Sequence, residues 1–522
     1  GEKIAVVVSD LVQRGKSKDH EELRKSFPPG VPEMLRVQGL GPKKVKVLYE
    51  KLKIKSLAEL EAAAKSDKLS SLEGFGAKTQ ENILKGIQAL KARGEKSNYP
   101  KAADAAERIF RDLMQRKEII RGEIAGSLRR KKEIIGDIDI VVSAKDSTRP
   151  ALMEAFTSHP DVGTVIARGD TKSSVVLSAG INCDVRIVDD SEFPFALNYF
   201  TGSKEHNIEM RSRAKKFGWS LNEYGFSELG ADEKRGKAKR IVKCNEETDI
   251  YKALDLDYVP PELRENMGEF DAAQNRTLPK LIEFDDIRGT FHCHTKYSDG
   301  VNTLEEMALA AKKLGWEYLG IADHSKAAGY AGWMTEEKVR RQLKEINELN
   351  SKTRGFRLIK GTECDILPNG DLDWSEKVLA SFEYVVASVH SSFKMSETEM
   401  TKRIIKALKS KYVTMLGHPT GRLLLSRDGY PVDMIQVINA AADHGKIIEI
   451  NAHPLRLDLD WRLCKYAKEK GVKISINPDA HNIEGLNDVR YGVGVARKGW
   501  LEKKDVLNTQ SLSGVLKSLG IH

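Results

Sequence analysis

The chain of 522 residues has no long apolar run and little cysteine. No run approaches the roughly eighteen apolar residues that a membrane helix needs. The apolar opening IAVVV is too short for the core of a secretory signal. Five cysteines without paired spacing argue against a disulfide framework and favour a reducing compartment. We therefore expect a soluble, cytoplasmic protein with no membrane partner.

The length and the charge distribution suggest several domains and a polyanionic partner. A chain of this length exceeds one hydrophobic core, so roughly two to four domains are expected. The net charge is +9, and residues 1–100 hold 20 Lys and Arg against 13 Asp and Glu. A basic region near the start of the chain is typical of proteins that bind nucleic acid.

A short repeat lies in this basic region. The sequence GLGPK at residues 39–43 recurs 35 residues later as GFGAK at residues 74–78. Each copy is a glycine turn before an apolar-periodic helix, which could be no more than a capped helix start. The alternative is a helix-hairpin-helix, in which glycines expose backbone N–H groups to a DNA phosphate and the lysine adds a second partner. The candidate DNA-binding residues are Gly39, Gly41, Lys43, Gly74, Gly76 and Lys78.

The rest of the chain changes pattern twice. A long helix over residues 101–117 is followed by alternating helices and β-rich runs. Residues 266–285 are polar and are expected to be an interdomain linker. Beyond them, strand-like runs alternate with amphipathic helical segments, which predicts a barrel-like domain built from βα repeats.

A first group of candidate catalytic residues lies in GSLRRKKEIIGDIDIVV, residues 126–142. Asp137 and Asp139 alternate on one strand, so both carboxylates face the same side and need a cation such as magnesium between them. A DxD pair alone is a weak signal. Here a small turn at Ser127, a cation at Arg130 and a third carboxylate at Asp184 accompany it. Together they indicate a two-metal nucleotidyl-transfer site.

A second segment makes the resemblance specific. Residues 199–207 read YFTGSKEHN, and Arg211 follows one turn later. In order and spacing this region resembles the family X DNA polymerases, which fill gaps during repair. The resemblance implies that Asp137, Asp139 and Asp184 are catalytic and bind two magnesium or manganese ions.

The same resemblance implies contacts to the incoming dNTP. The residues that correspond to the nucleotide site of the family are Ser127, Arg130, Gly136, Tyr199, Phe200, Gly202, Asn207 and Arg211. The first three would hold the triphosphate. Tyr199 and Phe200 would pack against the sugar, although alone they could be ordinary core aromatics. Asn207 and Arg211 would read the minor-groove side of the nascent pair.

The N-terminus departs from this family. The opening GEKIA resembles the second half of a further hairpin and lacks an initiator methionine, which suggests an N-terminal truncation. Aligned on that hairpin, Val7 takes the position of the lysine that forms the Schiff base in members with 5′-deoxyribose-phosphate lyase activity. Valine has no amine, so this lyase activity is not expected.

A second group of candidates is rich in histidine. In FHCHTKYSDG, residues 291–300, two histidines alternate on one strand face while Cys293 points away. Further histidines and carboxylates lie at or near the ends of the later strand-like runs, where βα-barrels build their active sites. The candidate ligands are His292, His294, Asp299, His324, Glu363, His390, His418, Asp479 and His481. Nine such ligands suffice for two or three ions of the zinc, manganese or iron type.

Not every residue near this pattern is expected to bind metal. Asp299 lies in a turn and could instead cap it. His444 and His453 are interpreted as structural residues. Alternation places Cys293 and Cys364 off the metal-binding face.

The spacing HxHT…SDG…DH…E…H…H…DxH resembles the PHP (polymerase and histidinol phosphatase) domain. This domain is a distorted βα-barrel phosphoesterase with a trinuclear metal site, for which manganese or zinc is expected here. Together the two resemblances are to the bacterial family X polymerases. They imply a multidomain α/β protein with five segments: a helix-hairpin-helix region over 1–96, a nucleotidyltransferase-type palm over 97–205, a thumb over 206–265, a linker over 266–285 and a PHP domain over 286–522.

The resemblance implies a bifunctional enzyme on DNA. The polymerase would use gapped or nicked DNA and dNTPs, and the barrel would act as a 3′→5′ exonuclease, clean 3′ ends or incise abasic sites. A monomer is expected. Three alternatives remain open: a barrel that serves only as a structural platform, a DNA-binding scaffold with two idle sites, and a nucleotidyltransferase acting on RNA or a small molecule.

Overall fold

The computed structural model describes residues 28–229 except 29, 36, 38–39, 73 and 95, and also residues 241–327 and 334–521. The chain divides into two compact units, Gly1–Lys96 and Ser97–His522. The interpretations of the GEKIA opening, Val7 and Gly39 concern residues outside the described ranges. Within those ranges, no helix has the length and apolar character needed to cross a bilayer.

The part of the first unit that the structure describes, from residue 28 onward, is helical and packs around one apolar cluster. The helices described there are α1 (Gly30–Met34), α2 (Pro42–Leu52), α3 (Leu57–Lys65) and α4 (Ala77–Gly94). Met34, Leu48 and Phe75 are buried in the cluster. Both copies of the predicted repeat precede a helix start. Gly41 is the N-cap of α2, and Pro42 follows it in the first turn, where its missing N–H is not needed.

The second unit begins with a five-stranded sheet that matches the predicted palm. Its strands are β2 (Ile119–Ile124), β4 (Asp137–Ala144), β5 (Val162–Arg168), β6 (Lys172–Leu177) and β7 (Asn182–Val188), in the order β2-β4-β7-β6-β5. The two short strands β1 (Ser97–Asn98) and β3 (Ile134–Ile135) pair beside it. Three helices accompany the sheet: α5 (Tyr99–Met114), α6 (Gly126–Arg129) and α7 (Arg149–Thr157).

One face of this sheet is apolar and the other carries the acidic residues. Ile138 and Ile140 of β4 pack with Ile109 of α5 and Phe156 of α7 in one cluster. Because side chains alternate along a strand, the aspartates at positions 137 and 139 lie on the face opposite those helices. The apolar residues thus fix the orientation of the carboxylates.

Two helices precede or cross the predicted thumb boundary at residue 206: α8 (Phe193–Thr201) and α9 (Lys204–Lys216). The predicted thumb then contains β8 (Trp219–Asn222), β9 (Gly225–Glu228) and α10 (Glu247–Ala253). The segment contains a buried ionic pair: Arg264 Nη1 lies 2.5 Å from Glu247 Oε1. Arg129 of α6 reaches Oε2 of the same glutamate at 2.7 Å, which ties the palm to the thumb.

The segment 266–285 is packed, whereas a polar interdomain linker was expected. It contains helix α11 (Glu269–Gln274), and Phe270 and Ala273 are buried in one cluster with thumb residues. Glu269 is fully buried and lies 2.8 Å from His206 Nδ1. Most of its polar residues are exposed, so the sequence looked solvated, and a few apolar side chains together with Glu269 carry the packing.

The final region is a nearly closed barrel of seven parallel strands, as the sequence predicted. The strands are β10 (Gly289–Cys293), β11 (Tyr318–Ile321), β12 (Arg357–Asp365), β13 (Tyr384–Ser388), β14 (Met415–Leu416), β15 (Ile447–Asn451) and β16 (Ile474–Asn477), and they pair in chain order. A parallel bridge between Cys293 and Ala480 joins the first strand to the segment after the last.

Helices cover this barrel. They are α12 (Leu304–Lys313), α13 (Glu336–Lys352), α14 (Glu376–Leu379), α15 (Glu397–Leu408), α16 (Met434–Asp443), α17 (Trp461–Glu469), α18 (Val489–Lys498) and α19 (Leu512–Ser518). Outward-facing strand residues such as Leu319, Ile448 and Ile476 pack with apolar helix residues in the largest core of the protein.

Candidate catalytic and metal-binding sites

Three carboxylates come together on the open face of the palm. In the parallel pairing of β4 with β7, Asp139 lies opposite Asp184, and Asp137 is two residues away on β4. Burial, then the charges of Asp137 and Asp184, raise the pKa of Asp139 to about 6. Three acidic groups this close repel one another, so the arrangement favours a bound cation. Hard oxygen ligands of this kind suit magnesium or manganese.

A lysine that sequence reasoning did not single out balances part of this charge. Lys172 Nζ of β6 lies 2.6 Å from Asp184 Oδ2. On the neighbouring strand, the Arg186 guanidinium lies 4.1 Å from the centroid of the Phe200 ring. The alternation in CDVRI could have indicated Arg186, because it shares a strand face with Asp184. Lys172 gave no such signal, since its partner lies on the neighbouring strand.

The glycine-serine turn of α6 lies directly against the carboxylates. Gly126 has a left-handed φ of 67°, and a Cβ there would lie 2.5 Å from Asp139 Oδ2. Only glycine fits this approach. The Ser127 hydroxyl is buried and has no hydrogen-bond partner among the described residues. A buried hydroxyl without a partner is costly, so it is suited to receive a ligand such as a phosphate.

Arg130 lies at the end of this turn and is almost fully buried, with 8% exposure. Its Nε donates to Glu265 Oε1 at 2.9 Å, and its Nη1 donates to the Thr201 carbonyl at 2.7 Å. These two bonds fix the position of the guanidinium. Neither of them involves Nη2. Gly136, at the start of β4, is exposed and has open space where a Cβ would be.

The remaining predicted nucleotide residues surround the end of α8. The rings of Tyr199 and Phe200 are half-buried and meet edge to face with centroids 5.1 Å apart. Asn207 Nδ2 donates to the Tyr199 carbonyl at 2.7 Å, and its Oδ1 would lie 2.6 Å from a Cβ at Gly202. The amide therefore holds the turn in its present shape. Arg211 is exposed on α9.

The interior of the barrel changes from apolar to polar along its axis. At the amino-terminal ends of the strands, Tyr318, Tyr384 and Met415 form a closed apolar cluster. Glu449 lies above it and is fully buried, and it accepts hydrogen bonds from Asn451 Nδ2 at 2.9 Å and Asn477 Nδ2 at 2.8 Å. The predicted ligands occupy the carboxyl-terminal end.

All nine predicted ligands meet at this end of the barrel. Within each group the ligand atoms lie within 4.8 Å of one another. The groups are His294, Asp299, His324 and His481; His292, His294 and Glu363; His292, His418 and Asp479; and His324, Glu363 and His390. Because residues are shared between groups, the four form one continuous cluster. Asp299, which could have been only a turn cap, belongs to it.

The first strand reaches this cluster through an unusual backbone conformation. His292 has a left-handed φ of 55°, and the pairing of β10 shifts register there. As a result Phe291 packs in the apolar cluster below while His292 joins the ligands, although the two are adjacent. Cys293 packs in the outer core, and Cys364 also packs away from the ligands.

The donor set fits divalent metal ions. No hydrogen bond from the described residues reaches either ring nitrogen of His294, although Asp479 Oδ1 lies 3.2 Å from Nε2. Burial, followed by the charges of His481 and His324, lowers the pKa of His294 to about 3. Its imidazole is therefore neutral and presents a lone pair, as a metal ligand must.

Two carboxylates outside the predicted set orient the ligands. Glu449 Oε2 lies 2.6 Å from His292 Nδ1, and Asp365 Oδ1 lies 2.9 Å from His390 Nδ1. Each bond fixes a ring so that its other nitrogen faces Glu363, at 3.2 Å in both cases. Both carboxylates stand in strand runs that the sequence showed (GTECD and KIIEI), but they lacked the recurring spacing that identified the ligands.

Two further histidines lie outside the cluster. His444 caps the C-terminus of α16, and His453 Nδ1 accepts a hydrogen bond from the backbone N–H of Leu455 at 3.2 Å. Neither belongs to a ligand group among the described residues. Both agree with the structural interpretation of these histidines.

At three glycines of the first unit the backbone is accessible to solvent. Gly41, Gly74 and Gly76 are exposed, and a Cβ at any of them would meet no atom within 4 Å. Gly74 has φ +83°, so it alone of the three requires glycine for its own conformation. Lys43 and Lys78 are exposed in the first turns of α2 and α4.

Comparison with known proteins identifies three regions. Residues 31–89 match the family described as SAM-like helix-hairpin-helix tandem, residues 196–265 match DNA polymerase beta thumb, and residues 290–453 match the PHP domain. The thumb match begins within α8, ten residues before the predicted boundary at residue 206.

The relatives extend these matches over nearly the whole chain. "DNA polymerase/3′-5′ exonuclease PolX" of Bacillus subtilis (strain 168) is 40% identical over 512 residues, covering 98% of this chain and 88% of that protein. A protein of Thermoanaerobacter sp. (strain X514) named "Probable phosphatase" is 32% identical over 231 residues, covering 42% of this chain and 89% of that protein.

A solved structure adds a distant likeness to the polymerase half. Leishmania infantum polymerase beta in a ternary complex covers 46% of this chain and 97% of its own, at 24% identity and a TM-score of 0.30. That score is too low to support any conclusion by itself.

A palm with three carboxylates, joined to a thumb and to a barrel with a metal-ligand cluster, defines a polymerase coupled to a PHP domain. The Bacillus subtilis relative is 40% identical over 98% of this chain. The chain therefore belongs to the bacterial family X DNA polymerases that carry a C-terminal PHP domain. Both of its sites are expected to use divalent metal ions.

The raised pKa of Asp139 predicts a gain in stability when its charge is removed. An acid whose pKa is raised in the folded state lowers stability as the pH rises from its ordinary pKa of 3.8 to about 6, and the full cost is present above that range. In EDTA near pH 8, Asp139→Asn should therefore melt at a higher temperature than the wild type. At about pH 5 the gain should be clearly smaller, because the carboxyl of the folded wild type is then mostly protonated.

Differential scanning fluorimetry at the two pH values measures this effect. Asp146→Asn is the matched control, because Asp146 of the same domain has a side-chain exposure of 78%. An equal gain at both pH values, or the same gain in the control, would contradict the proposed repulsion.

The open glycines predict a loss of DNA binding without loss of fold. Gly76→Val adds atoms only into space, so the first unit should keep its melting temperature. A phosphate that contacts the backbone there would be displaced, and affinity for DNA should fall similarly on every sequence. The slope of log K against log salt should become shallower by about one unit.

Fluorescence anisotropy over a salt series measures both the affinity for DNA and its salt dependence. Ala62→Val, at an exposed position of α3, is the control for added bulk in the same unit. Unchanged affinity and slope for Gly76→Val would mean that the two glycine sequences are only helix caps.

Proposed function

We propose that the chain is a DNA polymerase that fills gaps during repair, and that its barrel is a metal-dependent phosphoesterase acting on DNA ends or abasic sites. The observation that carries the proposal is the presence of two separate clusters of potential metal ligands, an acidic one on the palm and a histidine-rich one at the mouth of the barrel. The name of the Bacillus subtilis relative combines a DNA polymerase with a 3′-5′ exonuclease.

For nucleotide addition, the proposed roles follow the geometry of the palm. Asp137, Asp139 and Asp184 would hold two magnesium or manganese ions, which lower the pKa of an attacking hydroxyl and neutralise charge on the leaving group. Ser127 offers its buried hydroxyl to the triphosphate, and Arg130 offers the free edge of its guanidinium. Gly136 leaves room beside them.

The other proposed dNTP contacts set selectivity. Tyr199 and Phe200 pack where the sugar would lie and exclude a ribose 2′-hydroxyl. Gly202 and Asn207 keep the turn after α8 in shape, and Arg211 is free to reach the minor-groove side of the nascent pair. Gapped or nicked DNA is the proposed substrate, and the glycine turns of the first unit would bind its phosphates.

For the barrel, the proposed reaction is hydrolysis of a phosphodiester or a phosphomonoester. Two or three manganese or zinc ions would supply a hydroxide nucleophile and polarise the phosphate. Glu363, which four histidines approach to within 3.2 Å, lies at the centre of the cluster and would help to hold these ions. Imidazole-rich coordination favours these transition metals over magnesium. The proposed activities are a 3′→5′ exonuclease, 3′-end cleaning or abasic-site incision, and the enzyme would act as a monomer.

A structural platform is the second candidate role for the barrel. The observation in its favour is the close packing of the barrel on the palm: Trp461 Nε1 donates to the buried Glu133 at 3.1 Å. Against it stands the completeness of the ligand cluster, since a platform needs none of the nine residues to converge. The two roles can be separated because the sites share no ligand.

The predicted outcome is that each activity can be removed alone. Asp479→Ala should abolish release of nucleotides from a labelled 3′ end on gapped DNA and spare dNTP addition. Asp139→Ala should do the reverse. Magnesium alone should support addition better than degradation, and manganese should restore degradation.

Denaturing gels of the labelled DNA, with each metal and each variant, measure both reactions. Metal content of the purified proteins is determined in parallel. Degradation by Asp479→Ala at the wild-type rate would show that the barrel is not the nuclease. Loss of both activities with a lowered melting temperature would favour the platform role.

A further inference from the structure

A lysine of the barrel is buried at the junction with the palm and the thumb. Lys498, the last residue of α18, has a side-chain exposure of 0%. Its Nζ donates to Glu265 Oε1 at 2.5 Å, to the Arg130 carbonyl at 3.1 Å and to the Glu262 carbonyl at 3.3 Å. It also lies 4.4 Å from the centroid of the Trp461 ring. A cation with this many fixed partners has a single position.

The same oxygen of Glu265 is shared by two cations. Arg130 Nε lies 2.9 Å from Oε1, and Lys498 Nζ lies 2.5 Å from it. The Glu265 side chain is 9% exposed, so water screens these interactions little. Burial opposes ionisation, but Lys498 and Arg130 together hold the pKa of Glu265 below its usual range. The carboxylate is ionised, and its charge is divided between the two partners.

We propose that Lys498 is a positioning residue for nucleotide addition: by taking part of the charge of Glu265, it weakens the hold of Glu265 on Arg130 and leaves that guanidinium available to the triphosphate. The barrel would thus tune dNTP affinity through one side chain, independently of its own ligand cluster. The inference rests on the proposed role of Arg130 at the triphosphate.

The physical basis of this effect is that Lys498 and Arg130 compete for the carboxylate of Glu265. With Lys498 present, two cations face one carboxylate, and the excess positive charge lies beside the glycine-serine turn. Without Lys498, Glu265 and Arg130 form a buried one-to-one pair, and the full carboxylate charge then offsets the positive charge that the Nη2 edge of Arg130 offers to a triphosphate. In a buried setting this compensation is strong because water screens it little.

A neighbouring arginine provides a matched control. Arg497, one residue earlier on α18, binds Glu262 at 2.7 Å and the Ile282 carbonyl at 2.9 Å. It anchors the same helix to the same junction, and neither of these bonds involves Arg130 or Glu265. A general loosening of the junction should therefore appear in Arg497→Met as well.

The test is single-turnover dNTP incorporation on gapped DNA by the full chain, which separates the dNTP Kd from the maximal rate. Lys498→Met should raise the dNTP Kd about tenfold with the maximal rate changed by less than about twofold. Glu265→Gln, which releases Arg130 from the other side, should lower the Kd. The double variant Lys498→Met/Glu265→Gln should have a lower dNTP Kd than Lys498→Met alone. Arg497→Met should leave the Kd unchanged.

The outcomes distinguish this inference from the function on which it depends. If Arg130→Gln leaves the dNTP Kd unchanged, the proposed role of Arg130 itself is wrong. If Arg130→Gln raises the Kd but Lys498→Met does not, or if Arg497→Met raises it equally, the sharing of Glu265 has no effect and the inference is overturned. Should Lys498→Met fail to fold, Glu265→Gln still tests the inference. An unchanged or higher dNTP Kd for Glu265→Gln would contradict competition between Lys498 and Arg130 for Glu265.

Discussion

Buried carboxylates that require positive partners are the constraint on which the second unit depends. A carboxylate removed from water is stable only with a cation or several hydrogen-bond donors beside it. In the palm, Lys172 supplies part of this charge, and the site favours a metal ion for the rest. In the barrel, the histidine cluster surrounds Glu363 and Asp479. At the junction, Arg130 and Lys498 surround Glu265.

These three solutions differ in how the negative charge is compensated. The palm leaves its carboxylates incompletely compensated by the side chains around them. The barrel surrounds its two buried carboxylates with six histidines. At the junction both cations come from the chain itself. The same physical requirement is therefore met in three different ways.

Sequence reasoning picked out two sets of side chains that the structure brings together, because the relevant patterns are local. Asp137 and Asp139 follow the two-residue repeat of a strand, and most of the predicted barrel ligands lie at or near the ends of strand runs. It did not find Glu449 or Lys172, whose roles depend on which strand lies alongside. Glu265 and Lys498 are separated by 233 residues, so only the packed structure shows their contact. The packing of segment 266–285 was missed because its buried apolar residues, such as Phe270, Ala273 and Leu281, are few among many exposed polar ones.

The closed apolar end of the barrel has a consequence for the kinetics of metal exchange. Among the described residues, aromatic and aliphatic side chains fill the amino-terminal end, so an ion is expected to enter or leave through the carboxyl-terminal mouth. The side chains of Asp299 and His481 are 29% and 37% exposed there, whereas Asp479 and Glu363 are 9% and 1% exposed. Ions should therefore leave in a fixed order, the outer one first. A chelator would act in phases rather than in one step, and the outermost position would be the first to take up whichever divalent metal is abundant.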